Sequence, residues 1–200
     1  MKALTQLSSL ACPLPLENID TDQLIPARFM KEPRSAGYGN FLLHDMRFDT
    51  DGAPLDSILN HNSASCFEIL VARRNFGGGS SREAAVYALL DFGFRCVVAP
   101  SFGDIFSSNA VNNGLLPALV SEQDCELLLS ALMGEPGRIS IDLVTQTIRF
   151  KELTVLFDIN STWKLKLLNG WDDIDLTMAQ TPKIENFREQ YRKYYPWLGK

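Results

Sequence analysis

Three consecutive glycines, Gly77, Gly78 and Gly79, run straight into Ser80-Ser81-Arg82-Glu83. With no Cβ atoms in the way, the N–H groups of such a turn crowd around one point. A helix that begins there adds its own unpaired amides and the positive end of its dipole. The chemistry on offer is the capture of an anion. Ser80 followed three residues later by Glu83 also has the spacing of a capping box, in which the serine does no more than satisfy a helix start.

The nucleotide motifs are absent. A P-loop requires Lys-Ser/Thr after its last glycine, where this chain has Ser80-Ser81-Arg82, and a dinucleotide fingerprint requires Gly or Ala where Arg82 stands. Arg82 instead puts a cation into the expected first helical turn, where the dipole disfavours it unless an anion is near. Its planar fork matches a carboxylate in two-point contact. A small carboxylic acid is the expected ligand.

Such a turn needs a strand before it and a helix after it. Phe67–Arg73 is a short apolar run suited to a buried strand, and Arg82–Asp91 has helix-forming composition with Gly93 past its end. The theme repeats: strand Phe94–Ala99, helix about Phe102–Asn113 stopped by Gly114, strand Leu115–Val120, then a helix capped by Ser121 and stopped by Gly134. Strands that alternate with helices imply a parallel βαβ core. After the turn Gly134–Gly137, Arg138–Leu143 alternates and Thr147–Phe150 returns as its antiparallel hairpin partner. Pro13–Pro26 reads as strand and turn, residues 31–40 as a mobile loop, and Ile184–Trp197 as a helical tail laid on the body or a partner. The fold class is therefore α/β, in one domain with a core of about residues 1–160 and a helical extension over about 161–200.

The 200 residues are 46% hydrophobic and 22% charged, an ordinary globular balance. A net charge of −5 argues against nucleic acid and anionic membranes as partners. Neither a signal peptide nor a membrane-spanning run is visible, so a cytoplasmic location is expected. Cys12, Cys66, Cys96 and Cys125 are widely separated, with no CxxC, and only His44 and His61 accompany them. The thiols are expected to be buried and reduced, and no metal is assigned to this chain.

Several motifs in one order carry a resemblance across most of the chain. They are Asn18-Ile-Asp-Thr-Asp-Gln-Leu-Ile-Pro26 with Arg28-Phe29, Gly37-Tyr-Gly39 before Asp45-Met-Arg47-Phe48, Asn75-Phe-Gly-Gly-Gly-Ser-Ser-Arg-Glu83, and Ala99-Pro-Ser-Phe-Gly-Asp-Ile-Phe106 ahead of Asn113-Gly-Leu-Leu-Pro117. Together they resemble the small subunits of 3-isopropylmalate dehydratases, which are similar to the swivelling domain of the aconitase superfamily. The resemblance implies a swivelling β/β/α domain, in agreement with the mixed architecture read above. It also implies a large partner subunit, in a heterodimer or heterotetramer, that holds a [4Fe–4S] cluster whose iron acts on the departing hydroxyl. The implied reaction removes and restores water on a small branched dicarboxylic acid through an enoic diacid, converting 2-isopropylmalate to 3-isopropylmalate in leucine biosynthesis.

Carried over by position, Ser80 matches the superfamily's base and Arg82 a carboxylate-binding arginine, with the amides of Gly78 and Gly79 and the Ser81 hydroxyl around the substrate. Asp22 matches the aspartate of the Thr-Asp motif, with turn formation by Asp20 and Asp22 as the alternative, and Arg28 is the candidate for a second substrate arginine. Phe29, Met30, Tyr38 and Phe41 belong to the loop that samples the substrate side chain, or to ordinary packing. The chain departs from the family pattern in having Gly78 for a cysteine, Ala84 for a histidine, and Asn109-Ala-Val-Asn-Asn113 for Asn-Cys-Phe-Lys-Asn. These changes leave open a relative that works on methylmalate or dimethylmalate, and a non-catalytic carboxylate-binding or assembly subunit. Retention of Ser80 beside Arg82 favours an enzyme over a binder, because an anion site needs no base.

Overall fold

The computed structural model describes residues 1–61, 66–134 and 137–198. In chain order the elements are β1 (Gln6–Leu14), α1 (Thr21–Leu24), α2 (His44–Arg47), β2 (Phe67–Ala72), α3 (Glu83–Phe92), β3 (Cys96–Ala99), α4 (Asp104–Asn112) and β4 (Leu116–Leu119). They continue with α5 (Glu122–Gly134), β5 (Arg138–Asp142), β6 (Thr147–Phe150), β7 (Leu153–Leu156), α6 (Ser161–Asn169), α7 (Asp173–Met178) and α8 (Thr181–Tyr194). Among the described residues seven strands form one sheet in the order β4-β3-β2-β1-β5-β6-β7.

The sheet is mixed for a reason visible in its strands. β2 and β3 are apolar almost throughout, as strands covered on both faces must be. They pair in parallel with each other and with β1 and β4, and helices return the chain each time. β5, β6 and β7 pair antiparallel, β5 with β1, and short turns join β5 to β6 and β6 to β7. The sheet curls until its two ends touch: Leu119 of β4 and Asp158, just past β7, exchange backbone hydrogen bonds of 3.1 and 2.7 Å.

One face of the sheet, through Ala11, Ile69, Val71, Cys96 and Val98, packs on Leu128, Leu129 and Leu132 of α5 and on Leu167 of α6. The opposite face, through Cys12, Leu70, Ala72, Val97 and Ala99, packs on Ala85, Val86 and Leu89 of α3 and on Phe106 and Ala110 of α4. Lys166 of α6 is buried, and its ammonium reaches Asn112 at 2.6 Å and Asp173 at 2.5 Å. By contrast α7 and α8 bury none of their residues, so of the two expected seats for the tail helix, the body or a partner, it does not take the body.

Several expectations are corrected. β1 is the central strand, yet only its end was anticipated from Pro13 onward. β7 has no counterpart in the sequence reading, while α6, α7 and α8 fall within the helical extension expected over about 161–200. The helix expected from Phe102 starts at Asp104, because Phe102 is drawn into a bridge with Phe76. Ser121 does cap α5, its Oγ accepting from the Asp124 amide at 3.0 Å. The expected turn Gly134–Gly137 includes Glu135 and Pro136, which lie outside the described residues. Residues 31–40 are not a free loop: they form short 3-10 turns over Arg34–Ala36 and Tyr38–Phe41, with Tyr38 and Gly39 buried.

Cys66 is exposed, against the expectation of a buried thiol, because it stands one residue before β2. The other three are buried, and desolvation pushes the Cys12 thiol up to about 12, Cys125 to about 11, and Cys96 further still. A thiol reagent such as DTNB at mildly alkaline pH is therefore expected to titrate Cys66 rapidly in the native chain and the other three only after unfolding. Rapid reaction of a second thiol would contradict this core.

Candidate active site at the carboxyl ends of the parallel strands

β1, β2 and β3 are parallel, so the loops that follow them emerge on the same side, the usual place for a ligand in an open α/β sheet. These three loops are laced together through their backbones. The Gly77 amide donates to Ile19 at 2.6 Å, the Thr21 amide to Gly78 at 3.0 Å and the Asn18 amide to Arg74 at 2.9 Å. On the other flank, the Asn75 amide donates to Ser101 Oγ at 2.7 Å and the Gly103 amide to Phe76 at 2.9 Å.

The turn itself requires glycine at two points. Gly77 has φ +71°, and a Cβ there would sit 2.3 Å from the Phe106 ring. Gly79 has φ +91°. Gly103 is required by close approach instead, since its Cβ would meet the Gly77 carbonyl oxygen at 2.5 Å. At Gly78 the space for a Cβ is pressed by Asn75 Oδ1 at 3.0 Å. The Asn75 amide group leans there while donating to Asn18 at 2.9 Å.

The capping-box expectation for Ser80 is overturned. α3 begins at Glu83, and Arg82 is its N-cap with extended φ/ψ of −86° and 109° and no side-chain capping bond. The cause is long-range: the Ser80 carbonyl is held inward by Thr21 Oγ1 at 3.1 Å and by the Arg82 amide at 2.8 Å. Helical backbone therefore starts too late for Ser80 to cap it. Glu83 does not reach back either, but accepts from Asn113 Nδ2 at 2.7 Å. Ser80 and Ser81 are both exposed, and their hydroxyls have no hydrogen-bond partner among the described residues.

Arg82 is accordingly a cation at the helix cap and not within its first turn. Its Nη1 pairs with Asp22, and its side chain is 22% exposed. The two aspartates of the Asn18–Pro26 motif thus divide their tasks. Asp20 caps α1, accepting from the Gln23 amide at 2.7 Å while Gln23 Oε1 accepts from the Asp20 amide at 3.0 Å. Asp22 is left to hold Arg82, and it uses one guanidinium nitrogen only.

Arg28 is placed differently. It makes a two-point ion pair with Asp45 and lies 4.5 Å over the Phe29 ring, and no described contact joins it to the glycine turn. The hydrogen bond from Arg28 holds the Asp45 carboxyl below its ordinary range, opposed by partial burial and helped by His44. Phe29 and Phe41 stack at 4.3 Å, with Tyr38 6.2 Å from Phe41. Tyr38 donates to the Glu32 carbonyl at 3.0 Å, and Met30 is 40% exposed. Among the described residues no group of three or more His, Cys, Asp or Glu is placed to hold a metal ion.

Sequence reasoning missed Thr21, Asn18, Ser101 and Phe106 as the supports of this turn. Thr21 and Asn18 stand inside a motif that was singled out, but nothing local announces which carbonyl or amide each one takes.

The fold and the turn define the class first. The aconitase C-terminal domain family model matches residues 1–123 of this chain. The 3-isopropylmalate dehydratase small subunits of Roseobacter denitrificans and Caulobacter vibrioides (strain NA1000 / CB15N) are each 44% identical to it, covering 99% of this chain and 100% and 99% of their own lengths. That of Brevibacillus brevis is 45% identical over 88% of this chain and 93% of its own. The chain belongs to the aconitase C-terminal domain family, on its 3-isopropylmalate dehydratase small-subunit branch. The crystal structure of 3-isopropylmalate dehydratase from Methanocaldococcus jannaschii shares the fold, with a TM-score of 0.65 at 23% identity over 90% of this chain and 99% of that one.

Proposed function

We propose that this chain is the small, base-bearing subunit of a hydro-lyase that interconverts 2-isopropylmalate and 3-isopropylmalate. The observation that carries the reading is Ser80: an exposed hydroxyl relieved of any capping duty, two residues from Arg82 and beside a helix start. A serine hydroxyl becomes a base only where its alkoxide is stabilised. Here the amides of Gly78 and Gly79, the α3 N-terminus and Arg82 supply positive potential, the Gly77 amide being taken by Ile19.

In this reading Ser80 takes the proton from the carbon beside a substrate carboxylate. Arg82 binds that carboxylate through the nitrogens that Asp22 leaves open, and Asp22 fixes the orientation of the fork. Ser81 and the amides of Gly78 and Gly79 complete the cradle. Arg28 would serve as the second substrate arginine only after exchanging Asp45 for the ligand, and the Phe29–Phe41 stack with Met30 forms the wall for the alkyl group. Tyr38 supports that wall from within. The sequence-matched relatives are named small subunits, and we place a [4Fe–4S] cluster in a large partner subunit, since the described residues of this chain offer no ligand set for one. No described helix is long and apolar enough to cross a membrane, and we assign the complex to the cytoplasm.

Co-expression with a large subunit under anaerobic conditions, followed by separation of 2- and 3-isopropylmalate from the reaction, tests this reading. The complex is expected to interconvert the two acids, and either subunit alone to be inert. Turnover by this chain alone would overturn the two-part enzyme. Binding of the acid by the complex with no turnover would make it a carboxylate binder.

A further inference from the structure

The segment after α1 is fastened to α3 by Arg34, a side chain outside the motifs quoted above. The Arg34 guanidinium lies 3.9 Å over the Tyr87 ring and makes a two-point bond to Asp91, at 2.7 Å from Nη2 and 3.2 Å from Nε. Beside it, Gly39 packs so closely on the end of α3 that a Cβ would meet the Asp91 and Phe92 backbone at 2.6 Å. Tyr87 lies one turn along α3 from Glu83, the residue after Arg82, and Glu83 is itself bonded to Asn113 of the α4 C-cap. Burial first and then the nearby Glu83 carboxylate push the Tyr87 phenol up, against the opposing influence of Arg34.

The same segment is tied at its other end, where Asp22 of α1 holds Arg82. Phe29 and the exposed Met30 stand between the two ties, and Phe41, just past Arg34 and the Gly39 contact, stacks on Phe29 at 4.3 Å. Phe29 is thus held between a tie to the start of α3 and a tie to its end, while Phe41 lies beside the Gly39 and Leu42 carbonyls that Arg47 holds; among the described ion pairs, that of Arg34 with Asp91 is the one that fastens this segment to the end of α3. Arg34 is 45% exposed, so the ion pair adds little to global stability. What a planar, stacked, two-point contact adds is register.

We propose that Arg34 is a positioning residue for substrate selection: it sets the distance of the Phe29, Met30 and Phe41 wall from Arg82, and through it the size of alkyl group that a 2-alkylmalate can carry. This rests on the function proposed above. Arg34 touches neither substrate nor reacting atoms, and acts through the segment it holds.

The test uses the assembled two-subunit enzyme and compares KM and kcat for 2-isopropylmalate with the inhibition constant of 2-methylmalate, in wild type, Arg34→Ala, Arg34→Lys and Asp91→Asn. Arg34→Ala is expected to raise KM for 2-isopropylmalate about tenfold relative to the 2-methylmalate constant, with kcat within about threefold of wild type. Arg34→Lys, which keeps charge but loses the flat fork, falls between. The melting temperature of this chain moves by no more than about 3 °C. Asp91→Asn, which leaves the ring contact in place, shifts the ratio in the same direction and supplies the reading should Arg34→Ala fail to assemble. An unchanged ratio in both variants, or equal losses for both acids, overturns the proposal while leaving the function standing. A wild-type complex that turns over no 2-isopropylmalate overturns both.

Discussion

Ser80→Ala in the assembled enzyme is expected to lower kcat by about 10²- to 10⁴-fold, the usual contribution of a positioned base, with KM for 2-isopropylmalate changed only a few-fold. The asymmetry follows from the structure. Ser80 contributes its carbonyl, not its hydroxyl, to the folded turn, where Thr21 and the Arg82 amide take it. Alanine keeps that carbonyl and the backbone around it. No capping bond is lost, because Arg82 and not Ser80 occupies the N-cap. The melting temperature of the variant should therefore match wild type, and the carboxylate should still find Arg82 and the turn amides. Ser81→Ala is the internal comparison: its hydroxyl is equally exposed, so a loss of similar size there would mean that both serines hold substrate and neither is the base. Undiminished turnover in Ser80→Ala would remove the catalytic assignment altogether.

The parts of the fold that were legible in the sequence are those whose signal is local. The stretch from β2 to β4 could be read because each strand is a short continuous apolar run and each helix ends on a glycine, Gly93 and Gly114 having φ of +124° and +83°. β1 was obscured by its double task. Its first half pairs antiparallel with β5 and is exposed on alternate residues, while its second half pairs in parallel with β2 and is buried almost continuously. No single period describes it. β7 and α6 are four and nine residues long with unremarkable composition, and gain their place from the curl of the sheet and the core around Leu167.

The same division runs through the site. The residue types and the helix start were readable, whereas the roles that depend on distant partners were not. Ser-x-x-Glu spacing suggests a cap, but the residue that prevents it, Thr21, is 59 positions away from Ser80. Asp22 is 60 positions from Arg82, and Arg34 is 57 from Asp91. A single chain holds no periodicity that links such pairs. Equally, Asp20 and Asp22 look interchangeable in a turn, and only the start of α1 after Asp20 assigns one to capping and frees the other for Arg82.

Gly77→Ala is expected to destabilise the chain strongly, and a control elsewhere in the chain separates its two causes. The first cause is backbone: Gly77 has φ +71°, which costs an L-residue about 1–2 kcal/mol. The second is steric. The new Cβ would lie 2.3–2.7 Å from three carbons of the Phe106 ring. That ring is 3% exposed, set edge-on to Phe76 at 5.4 Å and parallel to Phe102 at 6.3 Å, so it has no open direction in which to move. Overpacking of this kind adds about 1–3 kcal/mol. At about 2–4 °C per kcal/mol for a chain of this size, the sum of about 2–5 kcal/mol lowers the melting temperature by roughly 4–20 °C. Gly52 has φ +81° and nothing within 4 Å of its Cβ position, so Gly52→Ala carries the backbone cost alone. Phe106→Leu in the Gly77→Ala background should recover part of the steric share, a coupling of about 1–2 kcal/mol visible in a double-mutant cycle. Gly77 also sets where Ser80 and Arg82 point, so activity in Gly77→Ala should fall even below the temperature at which the chain melts. Equal melting temperatures for Gly77→Ala and Gly52→Ala would mean that Phe106 does not brace the turn and that Ser80 is not rigidly preorganised by it.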